Sequence, residues 1–407
     1  MNLSYFISRR ISREQKVGFA SAIHKIAIAS IAIGLSASMI SFLVMLGFQK
    51  TVKEKVYSFS GHLMVTKFSM NNSPEEAGMN YHIKIFDHPE EYPFIRHVQE
   101  YAHKIGLVKT ETDEVLGVVV KGVGKSYDVR SFETNMREGK FLELPDSGYS
   151  SQVVLSRIIS DKLNAKVGDN IIVHFFQDPP RFRKLKVSGI YETNLSEYFD
   201  GKVVLADIRM IQKLNDWSDS LAGGVEVYLV HDDNVDQAGL RIAETMDFDL
   251  DVERISDKFS QVFEWLNLLS RQVNILLAII LIVVCVNMIS IVLILVMERT
   301  QMIGMLKAFG ANNSVVRSIF IFNGINLIAK GLFLGNVIGL GLAFVQYHWK
   351  VIKLNPHDYY MNFVPISWSW DVVLILNLLT FGVVTFVLII PTMIIARINP
   401  IKAIRFD

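Results

Sequence analysis

Apolar residues along this chain collect into four long runs, one near the start and three in the last third, with a mainly polar stretch between them. No formal charge falls between Lys25 and Lys50, between Arg271 and Glu298, or between Asp371 and Arg397. Residues 272–297 alone would form a helix ~39 Å long at ~1.5 Å per residue, against a hydrocarbon core of ~30 Å. A soluble core helix has no reason to be apolar all round for that length. The remaining run, 314–347, is Gly-rich (Gly324, Gly331, Gly335, Gly339, Gly341) and contains Lys330. Glycines spaced by four suit close helix contact in a membrane, while Lys330 must snorkel, face the bundle or meet water. The pattern predicts a membrane protein with four transmembrane α-helices and a large α+β extracytoplasmic domain inserted between helices 1 and 2. The expected boundaries are 21–49, 271–297, 314–347 and 371–396 for the spans and 50–270 for the domain. Residues 298–313 and 348–370 are the connecting loops, and 397–407 the tail.

Before the first span, Leu3, Phe6, Ile7 and Ile11 share one helical face, with Ser8, Arg9, Ser12 and Arg13 largely opposite. Residues 1–20 therefore read as a basic amphipathic helix on the cytoplasmic membrane surface. The first run is longer than a signal-peptide core and ends without an A-x-A-like site, so it reads as a retained anchor. Basic residues set the orientation. Arg9, Arg10, Arg13 and Lys16, then Arg299, Lys307 and Arg317, then Arg397, Lys402 and Arg405 all fall on one side of four spans, the cytoplasmic side. Lys50, Lys53 and Lys55 count against this, but with Glu54 they form a polar continuation of the first helix into solvent.

Within the inserted domain, strands are expected over 62–68, 115–122, 170–176, 185–191, 203–206 and 225–230, each rich in β-branched or aromatic residues. Helices are expected over 89–105, 156–163, 208–215 and 236–246. Residues 255–269 keep helical spacing and run without a breaker into the second span, as a lever or simply a rigid linker.

Candidate chemistry is sparse. A net charge of +1 argues against a nucleic-acid partner, and the only cysteine, Cys285, lies inside the second run. The exported domain is thus expected to have no disulfide, and no cysteine stands at the end of the first span to carry a lipid anchor. Gly122-Val-Gly-Lys-Ser126 looks like a phosphate loop, but GxxxxGK[ST] needs glycine at 119, which is Val119. His82, His88, His97 and His103 lack metal-ligand spacing and read as solvent-exposed histidines of a polar segment. No nucleophile elbow or paired-acid motif stands out, which points to a non-catalytic chain.

The strongest local signal lies in the loop after the second run. Met297-Glu-Arg-Thr-Gln-Met-Ile-Gly-Met-Leu-Lys-Ala-Phe-Gly-Ala311 predicts a short helix closed by Gly310, with Asn312, Asn313 or Ser314 capping the next helix. Met302, Ile303, Met305, Leu306 and Phe309 leave it too apolar to stand alone. They are buried against the chain's own membrane helices, or they dock into a groove on a cytoplasmic protein.

These residues resemble a known family. MERTQMIGMLKAFGA is similar to the signature E-[KR]-x-x-[ED]-I-[GA]-[IM]-L-[KR]-[AT]-[LM]-G-A that follows the second span of FtsX/MacB-type ABC permeases, with Gln301 where an acid is frequent. RINPIKAIRFD resembles the tail of that superfamily. The stretch from FISRR through SGHLMV, the pieces VVVKGV, VVLSRIISDKLNAKVGDNIIV and VSGIYETNLSEYFDGKVVLADIRMIQKL, and VFEWLNLLSRQVNILLAII extend the likeness to the lipoprotein-releasing permeases of the LolC/LolE type.

The resemblance implies a four-span permease subunit of the bacterial inner membrane with a MacB-like periplasmic core. It implies a second permease chain, in a homo- or heterodimer, and a cytoplasmic ABC ATPase dimer that carries ATP and Mg, so this chain binds no cofactor. Glu298, Arg299, Gln301, Met302, Ile303, Met305, Leu306, Lys307, Phe309 and Gly310 would couple to the ATPase. Motion would pass through spans one and two to the periplasmic domain, and a lipoprotein would pass from the outer leaflet to a LolA-like periplasmic chaperone. Each acyl methylene leaving the bilayer costs ~0.8 kcal/mol, so a greasy receiving surface is required. Met39, Phe42, Leu43 and Leu46 of span one, with Val283, Asn287 and Ile291 of span two, are its expected lining, the alternative for each being ordinary packing. The family's chaperone-recruiting hook corresponds here to the short 176–184 segment, where Pro179, Pro180, Arg181, Phe182 and Arg183 form either a cationic recognition tip or a plain hairpin turn. Two other functions share this architecture: a MacB-like efflux permease for another cargo, and an FtsX-like transmembrane regulator of a cell-wall hydrolase.

Overall fold

The computed structural model describes residues 19–69, 73, 75–109, 115–355 and 359–393. The expected N-terminal amphipathic helix and the basic tail lie outside the described residues. Five helices organise the chain: α1 (Phe19–Ser60), α2 (Ser260–Glu298), α3 (Thr300–Ala308), α4 (Asn313–Trp349) and α5 (Trp370–Val387). Four helical stretches, Ser21–Ser60, Ser260–Glu298, Asn313–Trp349 and Trp370–Thr392, are long and apolar enough to cross a membrane. The chain divides into two compact units. One, helical, takes residues up to Lys50, Trp265–Lys353 and those from Phe363 on; the other, α+β, takes Thr51–Glu264 and Leu354–Asn362.

In the helical unit, α4 packs on α1 through its glycines. A Cβ at Gly331 would lie 2.7 Å from the Ile31 Cβ, and one at Gly335 would lie 3.0 Å from the Ala32 carbonyl. The glycine row brings the two backbones together, as its spacing predicts. One core joins Leu35, Met39 and Leu43 of α1 to Ala343 of α4 and to Val373 and Leu376 of α5. Asn336 of α4 and Asn377 of α5 exchange amide hydrogen bonds of 2.7 and 3.0 Å. Asn287 of α2 donates to Ser30 of α1 at 2.8 Å.

In the α+β unit, twelve strands are described: β1 (Leu63–Lys67), β2 (Met79–Asn80), β3 (Ile95–Lys109), β4 (Val115–Val123), β5 (Met136–Gly139), β6 (Gln152–Ser156), β7 (Asn170–Phe175), β8 (Arg181–Tyr191), β9 (Val203–Asp207), β10 (Leu221–Ala222), β11 (Gly224–Leu229) and β12 (Leu250–Arg254). Ten make one sheet in the order β12-β1-β11-β3-β4-β9-β6-β8-β5, and β7 pairs with both β3 and β8. That double pairing closes β3-β4-β9-β6-β8-β7 into a ring, which leaves those strands no free edge. Val120, Val153, Leu155, Val173, Leu185 and Val204 fill one core with the helices Arg157–Leu163 and Ile208–Leu214. Those helices start where Ser156 and Asp207 accept hydrogen bonds from Ile159 and Arg209 N–H, as N-caps do.

The helix expected over 89–105 is not formed: Ile95–Lys109 is β3, a fifteen-residue strand. Ile95, Val98, Tyr101 and Ala102 do fall at helical spacing, but the strand is flanked by β4 and β11 and buried on both faces, so polar Gln99, Glu100 and Lys104 are buried too. Their partners are distant in sequence, and no local period reveals them. Also, the run from 255 is not one helix. It breaks at Phe259 between the short helix Ile255–Lys258 and α2.

At the start of β1 the His62 ring stacks on Tyr57 at 4.2 Å, and its Nδ1 accepts the Leu229 N–H at 3.2 Å. Burial pushes the imidazole down to about 4, with Arg96 adding to this and Asp232 opposing it. The unfolded ring takes up a proton near 6.5 while the folded ring resists until about 4, so the unfolded state holds more protons between those values. Stability should therefore fall as pH drops through that window, by up to roughly 1.4 kcal/mol per pH unit. Thermal unfolding of the full chain in detergent at pH 7 and pH 4.5 should show a smaller loss for His62→Gln. Equal losses in both proteins would remove His62 as the cause.

Candidate functional site

The loop helix α3 is the best-defined candidate. Thr300 Oγ1 donates to the Met297 carbonyl at 2.7 Å, which turns the chain out of α2. After Ala308 and Phe309 the chain turns at a left-handed residue, Gly310, at φ +87. Gly310 N–H donates to Lys307 O at 3.0 Å and Ala311 N–H to Leu306 O at 2.9 Å. This is the paired closure of a Schellman motif, and it fixes where α3 stops and α4 begins.

The apolar residues of α3 divide between a buried face and an exposed one. Ile303 is fully buried with Leu295, Val296, Val316 and Phe320, pegging α3 to the ends of α2 and α4. Met302, Leu306 and Lys307 are half-buried. Glu298 and Gln301 are exposed, Met305 is 50% exposed and Phe309 89% exposed. Gln301, Met305 and Phe309 follow at intervals of four, so they form one outward stripe. Arg299 is half-buried behind it.

The seven residues expected to line an acyl surface do not form one in this conformation. Met39 and Leu43 are fully buried in the core they share with α4 and α5, and Ile291 is buried in a neighbouring cluster. Asn287 is occupied by Ser30. Phe42 and Leu46 are half-buried, and Val283 is exposed. A run that is apolar on every side does not reveal which side its neighbours cover; the α4 glycine row decides that here.

The 176–184 segment is the tip of the β7–β8 hairpin, with Phe175 opposite Arg181 and residues 176–180, including Pro179 and Pro180, in the turn. Arg181 is not a free cation. Its guanidinium pairs with Asp216 at 3.0 Å and donates to the Lys213 carbonyl at 2.9 Å, closing the helix Ile208–Leu214. Arg183 donates to the Phe182 carbonyl at 2.9 Å. Phe176 and Phe182 are the exposed aromatic groups of the tip.

The remaining motifs are structural. At Gly122–Ser126 the buried Glu100 carboxylate occupies the space over Gly124 and accepts from the Ser126 hydroxyl, so the turn offers an anion no cradle. His82 and His88 are exposed beside Asp87 and Glu90, whereas His103, unlike the expectation, is largely buried on Glu76 at 2.7 Å. Among the described residues no three His, Cys, Asp or Glu side chains gather as metal ligands.

One buried constellation carries no sequence signature. The Lys121 ammonium, 1% exposed, donates to Glu226 Oε1 and to the Phe59 carbonyl, both at 2.6 Å. Gln99 donates to the other Glu226 oxygen at 2.7 Å and to the Tyr228 hydroxyl at 3.0 Å. The Phe59 ring lies 4.8 Å from the ammonium. Phe59 is in the last turn of α1, where carbonyls lack helical partners, so the pair grips the end of that helix. Burial pulls the Lys121 ammonium below its ordinary value, while the Glu226 carboxylate opposes this.

Comparison with known proteins defines the class. Residues 26–245 match the MacB-like periplasmic core domain and residues 274–400 the FtsX-like permease C-terminal domain. Together they describe a membrane-embedded permease. The "Lipoprotein-releasing system transmembrane protein LolE" of Haemophilus influenzae is 25% identical over 92% of this chain and 93% of its own length. The LolC protein of the same system in Neisseria meningitidis is 22% identical over 98% of each. The periplasmic region of MacB from Actinobacillus actinomycetemcomitans, 13% identical, covers 50% of this chain and 92% of its own, with a TM-score of 0.34. This chain belongs to the FtsX/MacB-like permeases, and within them to the LolC/LolE type.

Proposed function

We propose that this chain is the permease subunit of an ABC transporter of the mechanotransmission type, which extracts lipoproteins from the outer leaflet of the bacterial inner membrane for transfer to a periplasmic carrier. The termini and α3 are cytoplasmic, and the α+β unit is periplasmic. A second permease chain completes the membrane part. A cytoplasmic ATPase dimer, which alone holds ATP and Mg, supplies the energy.

The observation that carries this reading is the stripe on α3. A helix pegged by Ile303 exposes Met305 and Phe309, two large apolar side chains that water does not favour. Such a patch suits a groove on another protein, and the likeness to LolC and LolE over nearly the whole chain supports an ATPase as that protein. A push on α3 reaches α2 at Glu298, a helix that continues without interruption back to Ser260.

Depletion of the chain in its native cell, followed by mass spectrometry of lipoproteins in separated inner and outer membranes, tests the cargo. Many lipoproteins should accumulate in the inner membrane. An unchanged distribution would transfer the same architecture to efflux or to hydrolase regulation.

A further inference from the structure

Lys330 has no part in the reading above. It lies midway along α4, is exposed, and has no hydrogen-bond or ion-pair partner among the described residues. Its level in the bundle is set by the next residue. A Cβ at Gly331 would lie 2.7 Å from the Ile31 Cβ and 3.3 Å from the Ile28 carbonyl. Lys330 therefore stands beside Ile28, about one helical turn (~5 Å) past Lys25, the last charge before the uncharged run of α1. A lysine at that level extends its ammonium to the headgroup layer while its stem stays among acyl chains.

Beside it lies a groove, open to the outside, lined by Ile28, Ala329, Lys330, Phe333 and Leu334. Apart from the ammonium the lining is apolar, and Phe333 is 68% exposed. A cation at the headgroup end of an apolar groove matches the two halves of a phospholipid. We infer that α1 and α4 form a binding site for an anionic phospholipid of the leaflet nearer the N-terminal end of α1. Its headgroup phosphate pairs with Lys330 and one acyl chain lies along Phe333 and Leu334.

Charge complementarity favours this occupant over a second copy of the chain. No Asp or Glu occurs at 26–49, 272–297, 314–347 or 372–396, so another copy brings no counter-ion to that depth. Anionic lipids do, and basic pockets between spanning helices select them.

The test uses the full chain in its complex, purified in mild detergent, with phosphatidylglycerol or phosphatidylcholine of equal chain length added and retention read by native mass spectrometry. The wild-type chain should retain phosphatidylglycerol about fivefold over phosphatidylcholine, the preference worth about one lysine–headgroup contact. Lys330→Gln should bring the ratio to about one, and Lys330→Arg should keep it. Leu334→Trp, which fills the groove and leaves the charge, should lower retention of both lipids. A wild-type ratio near one, or an unchanged ratio in Lys330→Gln, would overturn the site. So would loss of the second permease chain from Lys330→Gln at an unchanged lipid ratio, which would assign the lysine to an acid of that subunit. Neither result depends on the cargo.

Discussion

Lys121→Ala should lower the stability of the α+β unit by about 3–5 kcal/mol, because it leaves the Glu226 carboxylate charged, buried and short of its main partner. It also strips the Phe59 carbonyl of the donor that replaced water. Lys121→Met with Glu226→Leu should recover part of this loss, since removing both charges ends the desolvation penalty. Recovery will be partial because Gln99 and the Phe59 carbonyl then lack their partners. Denaturant unfolding of the full chain in detergent, followed by proteolysis of the α+β unit, measures both. A single-variant loss below about 1 kcal/mol would show that the pair is hydrated rather than buried.

The second large effect is expected at Gly310. Its φ of +87 lies in the left-handed region, and nothing stands within 4 Å of where a Cβ would be. A substitution there acts through the backbone alone, without a clash. Gly310→Val puts a β-branched residue where only glycine, asparagine or aspartate sits comfortably, at a cost of at least ~1–2 kcal/mol. The cap opens, and the stripe through Met305 and Phe309 loses its fixed orientation. On the coupling proposed above, ATPase activity of the assembled complex should fall about tenfold, the equivalent of ~1.4 kcal/mol, with the amount of chain in the membrane unchanged. Gly310→Asn should retain most of the activity. Full activity in Gly310→Val would remove α3 from the coupling path.

What the sequence made legible follows from where each signal is local. The four spans rest on runs of uncharged residues, and the Gly310 closure on a motif of a few positions. The strands β1, β4, β7, β9 and β11 rest on short β-branched runs, and all of these are local features. Strand β3 was hidden because its polar Lys104, His103 and Gln99 find their partners Glu75, Glu76 and Glu226 across long sequence separations. Strands β5, Met-Arg-Glu-Gly, and β12, Leu-Asp-Val-Glu-Arg, are largely polar and carry no β-branched run. At the candidate site, Met305 and Phe309 of the stripe are as apolar as the Ile303 peg, and only the packed bundle separates Ile303 from Phe309. The same limit left Met39 and Leu43 open between a lining role and ordinary packing, because the residues they pack with lie on other helices.

The paired amides of Asn336 and Asn377 act as a register key. Both hydrogen bonds form at one longitudinal setting of α4 against α5. Sliding by one turn, ~5.4 Å, would strand two amides in hydrocarbon with no water to receive them. The last two spans are thereby locked into a single sliding unit. Among the described residues the first two spans carry no such amide pair with the last two, and they are also the helices that run on into the α+β part of the chain.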